Sequence, residues 1–388
     1  MRYAFQLFSG DLTRESCADA KMALDYLKPY LEKGCVEAVF SGWATDLSFY
    51  QKLKDGLQPY KVPLFFKYSV FSELTVYSKQ YQEIHGKALF EPLIDIHQRE
   101  EKGYRLNEQE NFLFRCPASS VNIQKSLEIY EEFFSDFSFD GLMLDRIRYP
   151  SFAAGMTSIQ TCFCPGCVEA YQAFGIDVEA LKEDLDRIAN KKMDLSLWHY
   201  QDGTWEFCND NLQRFFSFRT QAITNAVHVM AAYFHEKGMK VGVDAFTPAL
   251  GFFCGQDVKK LQKEVDFIKP MLYRYTHAPA GIPFERTGME EMLGDKAAVL
   301  MEQEVGSRKD DYKEMVRKEL EILQTLSDCQ VWPGIEANYI DPIARITPNQ
   351  LEDSLRLLEE RNVRTAVISW NLSKIPMENS QVLLSRLK

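Results

Sequence analysis

With 388 residues, 46% of them hydrophobic and 13% aromatic, the chain has material for a large core, and one α/β barrel with insertions fits that length. Its net charge of -11 argues against general binding to nucleic acid or to anionic membranes, because phosphate recognition needs a basic surface. No run of 18 apolar residues occurs, and Arg2 leads at once into strand-like Tyr3 to Phe8, so neither a membrane span nor a signal peptide is expected. The expected location is the cytoplasm. Nine cysteines, an odd number and mostly scattered singly, favour reduced thiols over a disulfide framework.

Strand-like runs follow one another at Tyr3 to Phe8, Val36 to Phe40, Val62 to Val70, Gly141 to Leu144, Lys240 to Phe246, Phe267 to Tyr273, Gln330 to Ala337 and Thr365 to Trp370. Helical patterns separate them. Cys17, Ala20, Leu24, Leu27 and Leu31 keep a helical spacing, as do Ile123, Leu127, Tyr130 and Phe134, and later Leu351, Leu355 and Leu358. Ala297 to Glu304 is read as helix. Strands alternating with helices, with no Gly-x-Gly-x-x-Gly after any strand, predict an α/β fold of the (β/α)8 TIM-barrel class over residues 1–388. Two connections are long, 72–119 after strand three and 151–210 after strand four, the second with a helix of its own from Val178 to Asn190. They are expected to form a lobe at the barrel mouth, since only loops at the C-terminal strand ends can grow over a site.

The strand ends carry the chemistry. Gly141 to Leu144 is apolar throughout, as a strand buried on both sides should be, and it runs directly into Asp145, Arg146 and Arg148. The other ends supply Gln6, Trp43, Lys67, Tyr68, Asp244, Tyr273, Glu336, Asn338, Trp370 and Asn371. Aromatic faces stack on sugar rings, while Asp, Asn, Lys and Arg bind hydroxyls, so the ring suits a carbohydrate better than a phosphate. Glycosidic cleavage needs two carboxyl groups, and Asp145 with Glu336 is the natural pair. Asp244 could replace either. His97, His199 and His277 have no spacing that identifies a ligand or base.

Phe139-Asp140-Gly141-Leu142-Met143-Leu144-Asp145-Arg146-Ile147-Arg148-Tyr149-Pro150 resembles the fourth-strand signature of glycoside-hydrolase-like TIM-barrel proteins, and Asp266 to Tyr273 is similar to their sixth strand. The resemblance implies hydrolase-like architecture more firmly than any substrate. Cys162-Phe163-Cys164-Pro165-Gly166-Cys167 is a Cys-x-Cys-x-x-Cys group that one further thiolate would complete as a structural zinc site, and Cys116 is the best fourth. The set is similar to the zinc cluster of family 42 β-galactosidases. That likeness implies Cys116, Cys162, Cys164 and Cys167 as ligands. It also implies a retaining clan with the acid/base on strand four and the nucleophile on strand seven, although the clan's Asn-Glu pair is here Leu144-Asp145.

The expected function is therefore a retaining glycoside hydrolase on a small oligosaccharide or glycoside. Asp145 would be its acid/base and Glu336 its nucleophile, with Trp43, Tyr273 and Trp370 as stacking surfaces and Lys67, Arg148, Asp244 and Asn338 as further substrate contacts. A structural zinc ion is expected and no organic cofactor. The expected partner is a small carbohydrate, with no nucleic acid or membrane, and a homo-oligomer is compatible with the chain. Two rivals stand beside this reading: a sugar isomerase or lyase using Lys67 or Asp244 as base, and a carbohydrate-binding barrel without turnover.

Overall fold

The computed structural model describes residues 1–8, 20–42, 44, 46–72, 84–85, 90–103, 105–106, 110–207 and 209–387; Cys17, Trp43 and much of the connection after strand three lie outside them. Eight strands form the barrel: β1 Arg2–Phe8, β2 Val36–Gly42, β3 Leu64–Ser69, β4 Gly141–Asp145, β5 Lys240–Phe246, β6 Phe267–Met271, β7 Gly334–Glu336 and β8 Thr365–Ser369. Each pairs in parallel with the next, and β8 returns to pair with β1, so the sheet closes as the α/β barrel that the alternating pattern predicts. β7 is shorter than its apolar run. Gln330–Val331 still pairs with β6, but Trp332 and Pro333 intervene, and proline has no N–H to give to a ladder.

Helices between the strands include Ala20–Glu32, Leu47–Leu57, Ser120–Phe134, Asp210–Glu236, Lys313–Leu323, Pro348–Glu360 and Met377–Ser385. Local chemistry sets their starts. The Ser119 hydroxyl accepts from Asn122 N, and Thr347 with Gln350 forms a reciprocal cap that satisfies amides left open in the first turn. The 297–304 stretch is helical as expected, Asp295–Leu300 running into a π-helical turn at Met301–Val305. Among the described residues no helix is long and apolar enough to cross a membrane.

The barrel interior is built in layers, because side chains two apart on a strand share a face. The lower layer is apolar: Ala4, Ala38, Phe40, Phe65, Met143, Phe267, Trp332 and Val367. Phe267 stacks on Trp332 with ring centroids 4.5 Å apart, and Phe65 lies 5.6 Å from Phe267. Two residues further along the same strands the interior turns polar, with Gln6, Lys67, Asp145, Lys269 and Ser369 all buried. Gly334 makes that layer possible, since a Cβ there would sit 2.6 Å from Lys269 Cε.

Candidate active site

Asp145 closes β4 and Asp244 lies on β5, and the Lys67 ammonium on β3 reaches both, 3.0 Å from Asp145 Oδ2 and 3.3 Å from Asp244 Oδ2. The nearest oxygens of the two carboxylates thus lie no farther apart than those two contacts allow. Lys269, on β6 in register with Asp244, adds a second ammonium 3.0 Å from Asp244 Oδ1. It also donates to Tyr273 Oη at 2.7 Å; that hydroxyl donates to Ser369 Oγ at 2.8 Å, and Ser369 donates to Gln6 Oε1 at 2.5 Å. Charges this deeply buried persist only when paired, and here the pairing is complete.

The network decides the protonation of Asp145. Burial alone would push its carboxyl up, but Lys67 and Arg146 beside it, with Lys269 behind, hold it below the usual carboxylate range. Lys67 answers in kind: burial pulls its ammonium down, yet Asp145 and Asp244 carry it above its ordinary value. Arg146 has φ +53°, a left-handed conformation unusual outside glycine, and this turn brings its Nε back to 3.9 Å from Asp145 Oδ2 while its guanidinium covers the Phe112 ring at 4.2 Å. Together with Arg148, Phe246, Met271, Pro279, Ala280 and Trp370, these groups line a cavity of about 80 Å³ at the C-terminal mouth.

Glu336, at the end of β7, is not part of that lining. Its Oε1 accepts from Tyr275 N at 2.6 Å, and no Lys or Arg nitrogen comes within 4.0 Å of it among the described residues. Thr276 approaches the carboxyl without hydrogen-bonding geometry, so Oε2 is left with no partner. Burial, only partly offset by the Tyr275 N–H and Arg274, pushes the group up to about 7.

The structure thus gathers Lys67, Asp145, Arg148, Asp244, Tyr273 and Trp370 around one cavity and leaves Glu336 and Asn338 outside its lining. Trp43 lies outside the described residues. Asn338 spends its amide on backbone: Nδ2 donates to Asn371 O at 2.6 Å, and Oδ1 accepts from the Trp370 and Asn371 amides. It positions Trp370. Lys269, Ser369, Arg146, Phe112 and Phe246 were not singled out as site residues by the sequence; the available signal for Lys269 was a lysine alternating with Phe267 and Met271 on an otherwise apolar strand.

The four cysteines come together as expected. The Sγ atoms of Cys116, Cys162, Cys164 and Cys167 lie within 4.8 Å of one another, with Cys116 and Cys167 at 3.5 Å. Short cross-connections join the two long insertions there: Asp95 bridges Thr161, Ile94 N donates to Cys162 Sγ and Phe163 N to Ile94 O, while Pro92 with Arg115 and Cys116 N with Glu91 O brace the first insertion internally. Hydrogen bonds among the sulfurs push the Cys116 and Cys167 thiols up and the Cys164 thiol down. Four sulfurs at this spacing can hold a metal ion, whose charge would let the raised thiols ionise.

No family model and no curated protein matches the sequence. Among solved structures, the chain is similar to the glycoside hydrolase domain of PgaB (BpsB) from Bordetella bronchiseptica, at 13% identity and a TM-score of 0.57, over 100% of this chain and 99% of that one. It is also similar to the C-terminal domain of a presumptive chitinase from Desulfitobacterium hafniense DCB-2, at 10% identity and a TM-score of 0.51, over 100% and 98% of the two chains. At such identities the likeness speaks for the fold alone: the chain is a (β/α)8 barrel of the architecture found in glycoside hydrolases.

Proposed function

We propose that the protein is a glycoside hydrolase in which Asp145 works as the ionised carboxylate and Glu336 as the proton donor. The supporting observation is the opposite environment of these two strand-end carboxyls, one held low by lysine and arginine, the other raised by burial to about 7. Two carboxyls whose surroundings drive their proton affinities apart are the arrangement that acid and nucleophile need near neutral pH. This reverses the roles that the resemblance to the retaining clan implied. Asp244 is clamped between two ammonium groups, Lys67 at 3.3 Å and Lys269 at 3.0 Å.

The proposed reaction places a sugar ring in the cavity against Trp370 and requires the wall to open past Tyr273 so that the glycosidic oxygen meets Glu336, which lies outside the lining here. Glu336 gives its proton to the glycosidic oxygen as Asp145 attacks the anomeric carbon, forming a glycosyl ester and releasing the alcohol. Water then gives a proton to the Glu336 carboxylate and its oxygen to the anomeric carbon, freeing Asp145 with net retention. A base role for Lys67, as an isomerase or lyase would require, is disfavoured because two aspartates keep it charged.

The four cysteines are proposed to hold one zinc ion that ties the 72–119 and 151–210 connections into a lobe over the mouth. Four thiolates leave no position for a catalytic water, so the ion's role there is structural.

One observation favours binding without turnover: both carboxylates that line the cavity are ion-paired to lysine. Release of reducing ends from an oligosaccharide panel separates the readings. Hydrolysis predicts turnover that falls at least ~100-fold in both Asp145→Asn and Glu336→Gln, the low end for loss of a positioned acid or base. If no form turns over any saccharide and both variants bind sugars as the parent does, hydrolysis is wrong and the barrel is a receptor.

A further inference from the structure

The ionisable residues lining the cavity are Lys67, Arg146 and Arg148 against Asp145 and Asp244, three cations facing two carboxylates. Behind the wall lie Lys269, paired to Asp244, and the carboxyls of Glu285 and Glu336, both raised by burial. Lys67 and Lys269 are spent on the aspartates, and Arg146 leans toward Asp145. Arg148 differs. Its guanidinium lies between two aromatic faces, 4.6 Å from the Phe114 centroid and 4.5 Å from that of Phe246, so both of its flat sides are covered and only its edge is left to bind.

That edge gives one hydrogen bond, from Nη1 to the neighbouring Tyr149 carbonyl at 2.9 Å, and the Cys254 thiol lies beside it. No carboxylate comes within 4.0 Å of Arg148 among the described residues. Glu285 is the carboxyl that interacts with it at longer range, but burial pushes that group up, and it is already satisfied by Ser151 Oγ at 2.9 Å, Ala280 N at 2.9 Å and Ala153 N at 3.1 Å. A guanidinium only 4% exposed, without its own counter-ion, in a chain of net charge -11, is a costly arrangement unless an anion arrives to complete it.

We infer that the saccharide received by this cavity is acidic, carrying a hexuronate carboxylate that docks edge-on against Arg148 between Phe114 and Phe246. A planar carboxylate matches the planar fork in two parallel hydrogen bonds, a geometry that the tetrahedral phosphate group does not share. The inference rests on the carbohydrate reading above and narrows it to uronic-acid-containing glycosides.

Calorimetric titration of the full chain with di- and trisaccharides of glucuronic and galacturonic acid, each beside its carboxyl-reduced neutral counterpart, tests it, with glucose 6-phosphate as a third arm. The expected result is acidic saccharides binding at least ~10-fold tighter than their neutral counterparts, as a charge-assisted bidentate contact allows. That preference should vanish in Arg148→Gln and should be only partly kept in Arg148→Lys, which retains the charge but not the fork. Circular dichroism establishes that each variant is folded, and Arg148→Lys carries the test if the Gln variant is not. Equal binding of acidic and neutral saccharides, a preference surviving in Arg148→Gln, or tighter binding of glucose 6-phosphate than of any uronate overturns the inference while leaving the carbohydrate reading intact. If no saccharide of either kind binds, the carbohydrate reading itself falls, and this inference with it.

Discussion

The two halves of the barrel mouth treat a carboxylate in opposite ways. From β3 to β6 the polar layer is a set of paired ions, Lys67, Asp145, Asp244 and Lys269, in which each buried charge has its opposite within 3.3 Å. From the end of β6 round through β8 to β1 the polar groups are neutral donors and acceptors, Tyr273, Asn338, Ser369 and Gln6, and Glu336 is buried on this side without a cation in contact among the described residues. Position at a strand end is therefore not enough to assign a role. What sits one layer away on the neighbouring strands decides whether the carboxyl holds its proton.

The largest expected effect strikes the loops above the ionic half. Replacing both Cys162 and Cys164 with serine should take the zinc content from one per chain to none and expose 151–210 to limited proteolysis, because a structural metal site contributes its binding free energy to folding. Stoichiometric zinc surviving the double replacement would refute that site. Next is Lys67→Met, which leaves Asp145 without its closest partner. A loss of ~3–5 kcal/mol in denaturant-measured stability is expected, as when one member of a buried ion pair is removed. A loss below ~1 kcal/mol would mean that Arg146 and Lys269 suffice and that the two halves differ less than the geometry implies.

The smallest effect is on the neutral half and depends on pH. The Glu336 carboxyl is raised in the folded state, so the folded protein holds a proton that the unfolded chain has released, and this contribution is lost as pH rises from the usual carboxylate range through about 7. Glu336→Gln should remove the dependence and gain on the order of 2–3 kcal/mol relative to the parent between pH 5 and pH 8. Parallel stability curves for the two proteins across that range would show that Glu336 is not the titrating group. Asp145 has the opposite sign, its contribution being present above the ordinary carboxylate range and lost as pH falls through it.

The barrel was legible because its strands are apolar runs separated by helical spacing, and both are local patterns. The cysteine group was legible for a related reason: three of its members lie within six residues, and Cys116 ends the connection beside it. The roles of the carboxylates were not. Lys67 meets Asp145, and Lys269 meets Asp244, only because β3 pairs with β4 and β5 with β6, and a linear sequence does not show which strand neighbours supply a counter-ion. Asn338 misled for a similar reason. A polar residue just past a strand end looks like a ligand for substrate, but here its amide satisfies the backbone at Trp370 and Asn371. Arg148 was visible beside Asp145, whereas its aromatic sleeve, Phe114 and Phe246, comes from two separate elements.

The most direct test of the account is a carbon-13 NMR titration of the side-chain carboxyls in the unliganded protein, with Glu336→Gln and Asp145→Asn identifying the two signals. The account predicts a Glu336 midpoint near 7 and an Asp145 carboxyl already ionised below the usual aspartate range. A Glu336 midpoint at the ordinary value of about 4.3, or an Asp145 that titrates above Glu336, would contradict it and restore the opposite assignment of acid and nucleophile.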